Sequence, residues 1–240
     1  MAGPTTKPGG AIRLLSANLY NDRAAPEAFA ELLAALAIDV VCVQELGARQ
    51  AAAISRVLAH GKLEPGASRR DHDGMGIAAR RPLAVSRFAL PRRDARLASL
   101  RGGDWPELGG TLELLNVHIQ APHLFPQWRS LALRRAQLAA LLPHLDATPD
   151  ARRVVCGDLN ATPLWPVYRA LVARLPDLAL EHAAQRSESP APTWGPWPGA
   201  PRLLRIDHAL GSGVLAANAS VIALPGGDHS ALLVDLVSER

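Results

Sequence analysis

An α/β fold is predicted by two features of this 240-residue chain: short apolar runs that each end in polar residues, and intervening stretches whose apolar residues recur at helical spacing. The runs are apolar at nearly every position rather than at alternate ones, which implies strands covered on both faces. A hydrophobic content of 48% without a long polar tract suffices for a multilayer core in a single domain. That domain is expected over residues 11–240, after a flexible tail over residues 1–10, "MAGPTTKPGG".

"AIRLLSAN" is a compact apolar run with Asn18 at its tip and reads as a buried strand. In "PEAFAELLAALA", Phe29, Leu32, Leu33 and Leu36 fall at i, i+3, i+4 and i+7, with Pro26 and Glu27 suited to a first helical turn. "IDVVCVQEL" reads as a second buried strand ending in Gln44 and Glu45. Residues 47–59 form an Ala-rich helix by composition, "GMGIAAR" with "LAVSRFAL" suggests a hairpin, and "GTLELLNVHI" is a strand reaching His118. Trp128, Leu131, Leu138, Leu142 and Leu145 mark an amphipathic helix over 128–145. "VVCGDLNATP" is a strand ending in turn formers, followed by a helix near 164–174 and the Pro-rich loop "SESPAPTWGPWPGAPRL". The chain closes with three β candidates, "LRIDHAL", "ASVIALP" and "SALLVDLV".

The net charge of +4 is concentrated, because residues 62–101 hold ten Lys or Arg against four acids. Such a stretch suits a polyanionic partner, although an Arg-rich composition by itself also yields scattered surface arginines. The longest apolar stretch is broken by Glu31 and Asp39, so no transmembrane segment is expected. The polar amino terminus has no signal-peptide pattern, and a soluble, cytoplasmic protein is the expectation. Cys42 and Cys156 sit in apolar runs and are expected as reduced core thiols.

Polar residues recur where the apolar runs end: Asn18, Glu45, His118, Asp158 with Asn160, Asp207 in "RIDHAL", and Asp228 with His229 in "GGDHSALL". These types can hold a hard divalent cation and polarise a phosphate. Mg²⁺ takes oxygen ligands and keeps waters, so one or two carboxylates suffice without a His/Cys cage. Asp207 and His208 are strand neighbours and point to opposite faces, so only one of the two can join such a site, and His208 is read as the structural one. His60, His72, His123, His144 and His182 have no evident partner and read as surface or core residues.

Asn18, "QEL", "NVHIQAP", "GDLNATP", "RIDHAL" and "GGDHSALLVDL", in that order, resemble the endonuclease/exonuclease/phosphatase (DNase I-like) superfamily over residues 12–236. The resemblance implies a four-layer α/β sandwich, two central sheets flanked by helices. It also implies a metal-dependent hydrolase of phosphoric esters. Carried over position by position, Glu45 would bind Mg²⁺, with Mn²⁺ as a substitute, Asn18 beside it and Asp228 as a further metal contact. Asp158 would orient or deprotonate the attacking water, and Asn160 would hold the phosphate or that water. His229 would stabilise a phosphoryl oxygen, Asp207 would fix the imidazole, and His118 would contact phosphate. Whether Asp158 or His229 is the general base stays open.

The expected substrate is a phosphodiester, in nucleic acid or a lipid headgroup. A phosphomonoesterase or lipid diphosphate phosphatase of the same superfamily is the alternative, and a non-catalytic phosphate-binding module the other. No protein partner is inferable. The Pro-rich loop and the closing strand are similar to a bacterial branch with membrane-attached phosphoesterases, whose preceding transmembrane helices are not in this sequence. Binuclear metallophosphatases are a poor match, since their Asp-x-His and Gly-Asn-His-Asp/Glu strings do not occur. Trp194 and Trp197 have two open readings: stacking on a base or headgroup, or anchoring the loop.

Overall fold

In the computed structural model, residues 6–68, 72–123 and 125–239 are described. One sheet is built from β1 (Ile12–Asn18), β2 (Val40–Gln44), β3 (His60–Glu64), β4 (Met75–Ala79), β10 (Val214–Ala223) and β11 (Ser230–Ser238), in the order β10-β11-β1-β2-β4-β3. The other holds β5 (Ala84–Phe88), β6 (Ala95–Leu100), β7 (Leu112–His118), β8 (Arg153–Asp158) and β9 (Asp207–Ser212), in chain order.

Strand parity decides the layers. Leu14, Val40, Cys42, Leu114, Val154 and Cys156 point into one cluster between the two sheets. Their neighbours Leu15, Val41 and Val43 pack outward against Phe29, Leu33 and Ile54. Leu115, Val117 and Val155 pack outward on the other side, against Leu141, Leu145 and Leu171. The outer layers are α1 (Pro26–Ala35) with α2 (Ala48–Ser55), and α3 (Gln127–Ala147) with α4 (Pro166–Val172). The four layers expected from the resemblance are therefore present, and continuous apolar runs are what strands covered on both faces require. Cys42 and Cys156 are free and buried between the sheets, where burial and then the neighbouring Cys156 push the Cys42 thiol well up.

Several elements differ from the expectation. "GMGIAAR" and "LAVSRFAL" do not form a hairpin. Met75–Ala79 lies between β2 and β3, while Ala84–Phe88 pairs with β6 in the other sheet. The physical reason is burial: β4 is covered throughout and needs a partner on each side, β5 is an exposed edge, and Pro82 helps the chain cross between sheets. α2 stops at Ser55, short of the expected residue 59, and the strand over residues 60–64 was not anticipated. β6 and α5 (Leu178–Gln185) were not anticipated. In α3, Leu138, Leu142 and Leu145 pack inward, but Trp128 at 64% and Leu131 at 45% exposure do not. Residues 6–10, part of the expected tail, are irregular, and Lys7 pairs with Asp39. Residues 1–5 of that stretch lie outside the described residues. Among the described residues, no helix is long and apolar enough to cross a membrane.

Topology brings the polar tips to one edge. β1 and β2 run parallel with Asn18 opposite Gln44, and β7 and β8 run parallel with His118 opposite Asp158. β9 runs antiparallel to β8 and begins with Asp207 opposite Asp158. The start of β11 follows His229, so all the strand ends that carry chemistry share one end of the sandwich.

Candidate active site

Two strand ends reach the site through left-handed backbone. Glu45 has φ of 47° just past β2, and Asn160 has φ of 47° just past β8. A non-glycine residue in that region costs roughly 1 kcal/mol or more, and such positions cluster at functional sites. Gly157 serves the same edge: its φ is 134°, and a Cβ there would stand 2.0 Å from the Val117 carbonyl oxygen. Only glycine fits "GDLN" at that point.

Asn18 lies between two carboxylates, its Nδ2 donating to Glu45 Oε1 at 3.2 Å and to Asp158 Oδ2 at 3.1 Å. Asn160 holds Asp158 from the other side, with its backbone N–H 2.7 Å from Oδ1 and its Nδ2 3.1 Å from Oδ2. His118 Nε2 stands 3.6 Å from Asp158 Oδ2 and 3.8 Å from Glu45 Oε1. His229 bonds Asp207 Oδ2 through Nδ1 at 2.9 Å, and its Nε2 is 3.8 Å from Asp158 Oδ2. Asp207 is fixed in turn by its backbone N–H, which donates to Thr193 Oγ1 at 3.2 Å. The eight residues singled out in the sequence therefore meet at one place, with Asp228 lining the same cavity of about 530 Å³ as Glu45, Asp158 and His229.

Burial, with the charges of Asp207 and Glu45 adding to it, pushes the Asp158 carboxyl up to about 7 against the opposing pull of His229. Burial disfavours a charged His229 ring, but Asp207, Asp158 and Asp228 outweigh it and raise its pKa to about 10. Burial, reinforced by Arg93, His229 and His72, holds His118 well below its ordinary value, so it is neutral at pH 7. Acid and base have been pushed apart within one cluster, the pattern that acid–base chemistry requires.

Two residues that the sequence does not mark, His72 and Arg93, also reach this cavity. His72, set aside as a surface or core residue, places Nδ1 2.6 Å from Glu45 Oε2 and 2.9 Å from Asn21 Nδ2. Arg93 lines the cavity and donates to Asp73 Oδ1 at 2.6 Å. The signal for either was the basic stretch 62–101; among its described arginines, Arg87 and Arg96 pair with Glu64, and Arg81 with Glu107. Trp194 lines the cavity and forms a β-bridge to His229, whereas Trp197 is 62% exposed and does not line it. His208 is structural, with Nε2 bonded to the Ala161 carbonyl at 2.8 Å.

The donor set fits a hard divalent cation. Glu45, Asp158 and Asp228 offer oxygen to one cavity, and the buried Asp228 Oδ1 has no hydrogen-bond partner among the described residues. Asp158, Asp207 and His229 also bring donor atoms within 4.8 Å of one another. Within that trio the buried Asp207 Oδ1 is also without a hydrogen-bond partner among the described residues, so both the Glu45 side and the Asp207 side of Asp158 offer carboxylate oxygen to a cation.

Comparison with known proteins agrees with this fold. The profile of the Endonuclease/Exonuclease/phosphatase family matches residues 15–229. No curated protein matches significantly. An endonuclease/exonuclease/phosphatase from Bacteroides vulgatus superposes with a TM-score of 0.74 at 16% identity, covering 95% of this chain and 99% of that one. The human Nocturnin catalytic domain with bound sulfate gives 0.69 at 20% identity, covering 98% and 97%. A mannosyl-6-phosphatase from Bacteroides thetaiotaomicron gives 0.70 at 17%, covering 94% and 99%. At these identities the structures speak for the fold, and the profile speaks for the family. The chain belongs to the endonuclease/exonuclease/phosphatase family and is a hydrolase of phosphoester bonds.

Proposed function

We propose that the protein is a Mg²⁺-dependent phosphodiesterase, with Mn²⁺ as a substitute, acting on nucleic acid or a lipid headgroup. The observation that carries this reading is the row Asp207, His229, Asp158, linked at 2.9 and 3.8 Å and ending in the cavity that Glu45 shares. Glu45, with Asp228 and Asn18 beside it, would hold the cation, which when bound would supply charge neutralisation at the phosphoryl group. Asp158, with a pKa of about 7, accepts a proton from the attacking water near neutrality, and Asn160 keeps its carboxylate aimed. His229, kept charged by Asp207, donates from Nε2 to a phosphoryl oxygen as charge develops there. Neutral His118, whose Nε2 stands 3.8 Å from Glu45 and 3.6 Å from Asp158, lines the cavity as a phosphate contact.

The diester preference rests on the cavity wall. Trp165, Trp194, Leu204 and Ile206 give an apolar surface beside the acids, suited to a non-leaving group that a monoester does not have. The similar mannosyl-6-phosphatase fold keeps the monoester as the competing class. Kinetics on bis(p-nitrophenyl) phosphate, p-nitrophenyl phosphate, plasmid DNA and phospholipid vesicles, with Asp158→Asn as the blank, test the choice. Diester turnover is expected to dominate. Turnover confined to monoesters overturns the diester reading, and phosphate binding with no turnover at all favours a binding module.

A further inference from the structure

The acids of the cavity are accounted for by the metal and the attacking water; the arginines on its wall are not. Arg92 and Arg93 belong to the connection between β5 and β6, and both line the cavity. Arg93 is only 7% exposed, and its Nε is fixed by Asp73, from the connection before β4 in the other sheet. No second protein partner of this guanidinium is found among the described residues. An arginine pinned at Nε presents its two terminal nitrogens as a fork, the geometry that matches a phosphate. Arg92 is exposed and has φ of 69°, a left-handed conformation that non-glycine residues adopt at a cost. Arg93 lines the cavity together with His72 and His118.

We propose that Arg92 and Arg93 bind a second phosphate of the substrate, close to the scissile one, so that phosphoesters bearing another phosphate are selected over those with a single one. This rests on the phosphodiesterase reading and narrows its substrate class. The two arginines line the same cavity as Glu45, Asp158 and His229. With the scissile group placed among those three residues, a second phosphate of the substrate is the group that fills the guanidinium fork. A cavity of about 530 Å³ accommodates a molecule of nucleotide size. The second phosphate can come from a polynucleotide strand or from a small bisphosphate, and the chemistry recognised is the same.

The test uses the full chain with Mg²⁺ and a matched pair, the p-nitrophenyl ester of thymidine 5′-phosphate with and without a 3′-phosphate. A kcat/KM about 10-fold higher for the 3′-phosphorylated ester is expected, carried by KM, with the ratio falling toward one in Arg92→Ala and Arg93→Gln. Calorimetry with thymidine 3′,5′-bisphosphate against thymidine 5′-phosphate reads the same site without turnover, and about 10-fold tighter binding of the bisphosphate is expected, lost in Arg92→Ala. Equal kcat/KM and equal Kd in the unsubstituted protein overturn the proposal, as does a preference that survives both substitutions. Hydrolysis of neither ester with the binding gap intact overturns the phosphodiesterase reading and leaves the second-phosphate site standing. A gain kept when the 3′-phosphate is esterified to further thymidine identifies a strand, and a gain confined to the terminal phosphate identifies a small bisphosphate.

Discussion

Gln44 Nε2 donates to Asn116 Oδ1 at 2.6 Å, joining the two sheets one residue before Glu45 and two before His118. Asn116 Nδ2 then reaches the Val43 and Gly76 carbonyls at 3.0 and 2.9 Å. A fully buried amide pair at this point sets the spacing between the sheets on which Glu45 and His118 are carried. Asn116→Ala is expected to destabilise the fold by about 2–3 kcal/mol, since it strands the Gln44 amide in the core. Urea unfolding measures this, and an unchanged midpoint refutes it.

Metal dependence should be complete. Chelator is expected to abolish hydrolysis, and Mg²⁺ or Mn²⁺ to restore it, because the cavity offers carboxylate oxygen and both thiols are buried between the sheets. Glu45→Gln should require far more metal for the same rate. Full activity in metal-stripped enzyme contradicts the assignment.

His72→Ala is expected to raise the Mg²⁺ concentration for half-maximal activity about 10-fold, because the imidazole bonded to Glu45 Oε2 orients that carboxylate. Turnover at saturating metal should change little. A metal titration coinciding with that of the unsubstituted enzyme would show that His72 merely rests on Glu45.

Asp207→Asn should lower kcat about 10- to 100-fold, since its partner His229 loses both orientation and its raised proton affinity. The melting temperature should fall far less than the activity does. Near-normal turnover would remove Asp207 from the mechanism.

Away from the site, burial opposes ionisation of Asp177, yet hydrogen bonds from His208 and Arg205 hold its carboxyl well below the ordinary range. A depressed folded pKa contributes stability that is present above the unfolded value of about 3.9 and lost as pH falls below it. Stability of the unsubstituted chain should therefore decline as pH drops from about 4, and Asp177→Asn should flatten that decline. At pH 7 the same substitution should cost about 3 kcal/mol, because Arg205 and His208 lose a buried charge partner. Parallel denaturation curves for the two proteins across that range would contradict it.

The α/β class, the covered strands and the candidate residues of the site are legible in the chain without its structure. Those features are local: an apolar run ending in Asn18, Glu45, His118 or Asp158 is visible because strand and polar tip adjoin in the chain. Tertiary structure alone decided which strands pair. Met75–Ala79 and Ala84–Phe88 look like a hairpin from their spacing, yet they enter different sheets because β4 must be covered by two neighbours. It also decided that His72 meets Glu45 and that Arg93 meets Asp73, from connections whose composition marks only a basic loop. The pKa values of Asp158 and His229 arise the same way, from burial and from charges contributed by β2, β8, β9 and the turn before β11. Burial and through-space charge depend on what surrounds a residue, and for these residues the surroundings come from distant parts of the chain.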